Sequence, residues 1–159
     1  MKIGASALAG IEYTLEDTLE FIENLGIEYV ELVHQFPSET VDVDTLSSFN
    51  LKYTIHAPFM DVNIATLQDK SRMNSIEQIK DSIDFANEID DEAVVVHPGL
   101  DSFLIHKYFL EDAYKVANES IKEIGEYGKD LGVLTTIENM PNFETMIYQN
   151  MYDLNELYD

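Results

Sequence analysis

Three residues able to hold a metal ion or move a proton stand at the ends of apolar runs, at equal intervals. Tyr53-Thr-Ile-His56 is halted by Ala57-Pro58, Ala93-Val-Val-Val-His97 by Pro98-Gly99, and Val133-Leu-Thr-Thr-Ile-Glu138 by Asn139-Met140-Pro141. His56, His97 and Glu138 are each 41 residues from the next (97 − 56 and 138 − 97). Taken singly, each histidine reads equally well as a hydrogen-bonded core residue, and Glu138 as one half of a salt bridge. A carboxylate after Thr-Thr-Ile is costly to bury unless it is paired or on a metal. Together the three suit a divalent metal, since imidazole and carboxylate are donors for zinc, manganese or iron. Zinc or manganese is the expected cofactor, and Glu138 is the one catalytic candidate.

Other polar residues near these ends carry weaker signals. His34 closes the second apolar run and reads either as a pocket-lining, substrate-binding residue or as a loop residue. Asn139 reads either as a substrate contact or as an Asx turn before Pro141. Asp61 and Asn63, in the loop after His56, are placed to orient that histidine or to pair with Arg72, and Asn63 reads equally well as a helix cap. His106 begins a helix and reads as solvated.

The elements that must position these residues follow a repeating order. Residues 2–6, 28–34, 51–56, 93–97 and 133–138 read as strands. Thr14-Leu-Glu-Asp17 opens a first helix with a hydroxyl cap and early acids. Leu15, Leu19 and Ile22 form its apolar face, and Gly26 suits its stop. Pro37 and Ser38 mark a loop, and 43–49 a short helix. Arg72 to Ile89 is a helix with Met73, Ile76, Ile79, Ile83 and Ala86 at near-3.6 spacing. A long helix is predicted over 104–131, with Tyr108, Phe109, Ala113, Val116, Ala117 and Ile124 inward, and Asp153 to Asp159 begins another. Asn24-Leu-Gly-Ile27 and Asp130-Leu-Gly-Val133 repeat one helix-to-strand turn. This is β/α repeated five times, which predicts an α/β fold with a parallel sheet and right-handed crossovers. An open doubly wound sheet and part of a closed eight-stranded barrel both fit. The glycine-rich nucleotide loops are missing, which speaks against a dinucleotide-binding fold.

Composition narrows the partners. The 159 residues carry 31 acidic and 9 basic side chains, a formal charge of −22, with Arg72 the only arginine. Nucleic-acid binding draws on clustered Lys and Arg, and this chain has no such cluster. The acidic field favours a cation. There is no cysteine, so disulfides and thiolate chemistry are out. No apolar run approaches a membrane span, and the first residues carry no signal-peptide pattern. A cytoplasmic protein is expected.

His56-Ala-Pro-Phe…Asn63-Ile-Ala-Thr, Val95-Val-His-Pro-Gly99 and Ile137-Glu-Asn139 resemble the motifs of the xylose isomerase-like TIM barrels. That superfamily joins sugar-phosphate isomerases and epimerases with endonuclease IV. In endonuclease IV the matching histidines and glutamate help bind a zinc cluster, which implies metal ligation by His56, His97 and Glu138. In the isomerase branch the matching glutamate ligates one divalent metal and the histidines line the pocket. A glutamate placed like Glu31 often points to the barrel mouth in this superfamily, which implies a substrate-binding role beside its plainer reading as an internal salt bridge. Ala57-Pro58-Phe59 and Met140-Pro141-Asn142 depart from the endonuclease IV continuations and favour the small-molecule branch.

The resemblance therefore implies a metal-dependent isomerase or epimerase acting on a sugar or sugar phosphate. The metal would polarise a carbonyl and hydroxyl pair while a carboxylate moves the proton. An endonuclease IV-like hydrolase of abasic DNA or a small phosphodiester is the alternative, and a non-catalytic truncated barrel the third reading. A full barrel typically needs about 250 residues. The expectation is that residues 1–159 form the N-terminal part of one, with further ligands on later strands. Open strand edges then predict association into a homo-oligomer.

Overall fold

Side chains alternate between two faces along a strand, and in this chain one face is apolar and the other carries the polar residues. The computed structural model describes residues 2–10, 12–35, 41–91, 93–100, 102–142 and 146–149. Five strands, β1 (Gly4–Ser6), β2 (Tyr29–Val33), β3 (Lys52–His56), β4 (Ala93–Val96) and β5 (Leu134–Ile137), lie side by side in chain order. Every neighbouring pair is parallel. The helices α1 (Leu15–Asn24), α2 (Val43–Ser47), α3 (Asp69–Glu88), α4 (Phe103–Tyr108) and α5 (Leu110–Leu131) fill the crossovers, and a 3-10 helix (Ala7–Gly10) follows β1. Consecutive order with one-sided helices is how a parallel β/α barrel wall is built.

The core lies between sheet and helices. Val30, Leu32, Ile55, Val94 and Val96 pack there against Leu19, Ile22, Leu46, Ile76, Ile79, Ile83, Ala86 and Ile124. The odd positions of β2 and β4, and the even ones of β3, are left for the inner face. Among the described residues β1 and β5 pair on one side only, and Ile3 and Leu134 beside those edges are exposed.

Local signals explain the helix ends. Thr14 Oγ1 accepts from the Asp17 N–H at 3.1 Å, so the expected cap forms. Asp42 caps α2 through the N–H groups of Asp44 and Thr45. Gly132 ends α5 in the left-handed region, φ 78.

Two expectations need correcting. Met73 is 52% exposed rather than inward, because α3 begins at Asp69 and its buried stripe runs through Ser75, Ile76, Ile79, Ser82, Ile83 and Ala86. The long helix of 104–131 is two helices, broken at Phe109 (φ −140, ψ 24). Glu111 and Asp112 then sit in the first turn of α5, where the helix dipole favours acids. Tyr108 and Phe109 face solvent, and Ala113, Ala117, Ser120, Ile124 and Gly128 form the buried face. The expected loop at Pro37 and Ser38 and the helix from Asp153 lie outside the described residues. No helix among the described residues is long and apolar enough to cross a membrane.

Candidate metal and sugar site

The backbone ladders bring the three strand ends together. Val33 pairs with His56 and His56 with Val95. The Ala57 N–H donates to Val95 O at 2.8 Å, and the Glu138 N–H to Val96 O at 3.0 Å. These bonds leave His56, His97 and Glu138 on the inner face at the carboxyl ends of β3, β4 and β5. One ligand atom from each lies within 4.8 Å of the others.

The side chains share one carboxylate oxygen. Glu138 Oε2 is 3.0 Å from His97 Nε2 and 3.3 Å from His56 Nε2. His56 Nδ1 donates to the Ala57 carbonyl at 2.7 Å. That bond assigns the proton to Nδ1 and leaves a lone pair on Nε2. In a neutral His56, its Nε2 and Glu138 Oε2 are then two acceptors facing each other, on side chains 9% and 43% exposed. A cation between them relieves that conflict. Two imidazole nitrogens and a carboxylate oxygen at this spacing are a donor set that suits zinc or manganese, so the residues present fit a divalent metal. The carbonyl bond that orients His56 is the kind that supports a metal-bound imidazole. His97 is held below its ordinary pKa, first by burial and next by the neighbouring His56, with Glu138 and Glu31 opposing. This favours the neutral imidazole, the form that ligates.

Phe59 covers the pair. Its ring lies 5.4 Å from His56 and 5.2 Å from His97, and the two imidazoles are 4.9 Å apart at 79°. A hollow of about 520 Å³ opens in front, lined by Leu8, Glu31, Val33, His56, Phe59, Val95, His97 and Glu138. Its lining combines four apolar side chains with two carboxylates and two imidazoles, which matches a ligand with C–H faces and hydroxyl edges.

Of the residues singled out in the sequence, His56, His97, Glu138 and Glu31 meet at this hollow. His34 does not. Its parity matches Val30 and Leu32, so its ring turns to the helices. There it stacks on Phe85 at 5.1 Å, and its Nδ1 meets Ser82 Oγ at 2.8 Å. Burial lowers its pKa, and Asp81 pushes the other way. Asn139 follows Glu138, is exposed and is not among the residues lining the hollow. Asn63 neither caps a helix nor pairs with Arg72. Its Oδ1 accepts from the N–H groups of Leu100 and Ala65, both at 3.0 Å, and its Nδ2 donates to Leu100 O at 2.8 Å. Arg72 instead reaches Asp69 and the Thr66 carbonyl. His106 is exposed on α4.

Two contributors were missed in the sequence. Phe59 stands three residues after His56, and Gln35 continues the alternation of Glu31 and Val33. That alternation was the signal available for Gln35.

Comparison with known proteins bears on the fold. An uncharacterized protein of Methanocaldococcus jannaschii, MJ1614, is 29% identical over 155 residues, which is 94% of this chain and 60% of the relative. The crystal structure of a D-tagatose 3-epimerase-like protein superposes with a TM-score of 0.86 at 29% identity, covering 99% of this chain and 60% of that one. An L-ribulose 3-epimerase structure shares the fold, with a TM-score of 0.76 at 15% identity over 99% and 56% of the two chains. The chain thus spans about 60% of the length of the first of these relatives. The model of the xylose isomerase-like TIM barrels matches residues 19–159, and with the sheet order and the strand-end site in place, this chain belongs to that family.

Proposed function

We propose that these five β/α units carry part of the site of a metal-dependent sugar or sugar-phosphate isomerase or epimerase, as the N-terminal part of its barrel. The observation that carries the reading is the single carboxylate oxygen of Glu138 facing Nε2 of both His56 and His97. Two structurally similar proteins, a D-tagatose 3-epimerase-like protein and an L-ribulose 3-epimerase, support the choice of a sugar.

Within this reading His56, His97 and Glu138 hold a divalent cation, zinc or manganese. A cation there supplies a Lewis acid for adjacent carbonyl and hydroxyl oxygens of the sugar. The remaining work falls to the chain's own side chains. The Ala57 carbonyl fixes the tautomer and direction of His56. Glu138, 43% exposed, is the carboxylate that sugar can reach, and Glu31 is the second carboxylate on the hollow. Either is of the type that moves a proton to and from a carbon beside a carbonyl. Leu8, Val33, Phe59 and Val95 exclude water from the C–H faces of the sugar.

The test is a calorimetric titration with zinc or manganese ions, followed by incubation with D-tagatose and chromatography for its epimer. Glu138→Ala should weaken metal binding about 10–100-fold, while His106→Ala leaves it unchanged. Equal affinity in the wild type and both variants would sink the metal reading. Metal binding without turnover of any ketose or ketose phosphate by the complete barrel would sink the isomerase reading.

A further inference from the structure

Gln35 lies two residues beyond β2, on the inner-face alternation of Glu31 and Val33, and is buried to 8% exposure. The ladder continues past the strand, with the His34 N–H donating to His56 O at 2.9 Å. This brings Gln35 against the loop that follows His56. Its Oε1 accepts from the N–H of Phe59 at 2.9 Å and from the N–H of Met60 at 3.0 Å. Its Nε2 donates to Met60 O at 3.3 Å. Two amide donors converging on one atom require the carbonyl oxygen there, so the orientation of the amide is fixed by its partners.

These three bonds go to the backbone of Phe59 and Met60. Immediately after them Asp61 turns left-handed, φ 59, a conformation that a non-glycine residue keeps only when its surroundings hold it. The Met60 side chain is 47% exposed and anchors little. Phe59 is the residue of this turn that touches the site, and it packs on both imidazoles.

We propose that Gln35 is a positioning residue for the strand-end site. By clamping the Phe59–Met60 backbone it presses the Phe59 ring against His56 and His97 and keeps both Nε2 atoms turned toward Glu138. The function it serves rests on the metal reading above, whereas the positioning itself is a property of the metal-free chain.

Two variants of the whole chain test it. Gln35→Met keeps the length and removes the acceptor; Gln35→Glu keeps an acceptor for both N–H groups. The first measurement is the set of nuclear Overhauser contacts between the Phe59 ring and the ring protons of His56 and His97, without metal. The second is zinc affinity by calorimetry. Gln35→Met should lose the ring contacts while keeping its helical circular dichroism, and should bind zinc about tenfold more weakly or worse. Gln35→Glu should keep the contacts. Retained contacts in Gln35→Met, or a zinc affinity within twofold of wild type, overturn the proposal. Should Gln35→Met not fold, loss of the contacts in a folded Gln35→Glu overturns it, and their retention supports the acceptor as the operative group. A wild type that binds no zinc removes the metal reading alone, and the ring contacts still decide the role of Gln35.

Discussion

Gly99 follows the site histidine by two residues, and replacing it with alanine should be costly for two separable reasons. The first is conformational. Its φ is +119, a region that side chains strongly disfavour, at a typical cost of about 1–3 kcal/mol. The second is steric. A Cβ there would stand 2.5 Å from the Ala65 Cβ, 2.9 Å from the Ala65 nitrogen and 2.9 Å from Asn63 Oδ1. Two of these are near-rigid neighbours, and forced overpacking typically costs about 1–3 kcal/mol. The two effects together predict a loss of roughly 2–6 kcal/mol, a large share of the ~5–15 kcal/mol that holds a domain folded. Gly132→Ala is the matched control. Its φ is +78 and nothing lies within 4 Å of the added atom, so only the left-handed penalty of about 1–2 kcal/mol applies. Urea denaturation followed by circular dichroism measures both. With slopes of about 1–3 kcal/mol/M, Gly99→Ala should lower the midpoint by about 1–2 M, and Gly132→Ala by clearly less. Equal midpoints in the two variants would refute the steric half of the reasoning. A Gly99→Ala chain as stable as wild type would refute both halves.

Three further outcomes are expected. Burial depresses the His34 pKa in the folded chain, so stability should be full above the unfolded value near 6.5 and fall as pH drops through it toward the lower folded value. Denaturation midpoints at pH 7.5 and 5.5 should therefore differ less in His34→Gln than in wild type, and an unchanged difference would show that other groups carry the pH dependence. Asn63→Leu leaves the Leu100 backbone groups without their partner and should cost about 1–3 kcal/mol, read as a lower urea midpoint. With a formal charge of −22 and one arginine, the chain should not retain duplex DNA at physiological salt; tight binding with a steep salt slope in a filter assay would favour the phosphodiesterase reading instead.

The metal candidates were legible because a parallel strand that meets proline leaves its last inward residue at one end of the sheet. His56, His97 and Glu138 each follow an apolar run with the same stop, so the fold had little freedom to scatter them. His34 ends its run too, but one residue out of phase with Glu31 and Val33, and a shift of one residue turns a side chain to the other face. Phase, not position at the strand end, decides membership of the hollow. The break at Phe109 was hidden because the sequence around it holds neither proline nor glycine; the helical periodicity runs through it, and only the φ/ψ of one residue separates α4 from α5. Met73 matched the apolar spacing of its helix yet faces solvent, as a residue on the margin of an amphipathic stripe can. The clamp by Gln35 depends on a turn geometry that no local pattern encodes.

The pair of hydrogen bonds between Asn63 and Leu100 has a dynamic meaning. One side chain in the loop after β3 grips both the N–H and the C=O of a residue in the loop after β4, and Leu100 in turn bridges to Met146 beyond β5. Segments joined this way do not breathe independently: opening any one of them breaks hydrogen bonds belonging to the others. These loop segments beyond the strand ends therefore open as one cooperative unit, and the Leu100 amide should exchange its hydrogen on the slow timescale of the strands rather than the fast timescale of surface loops.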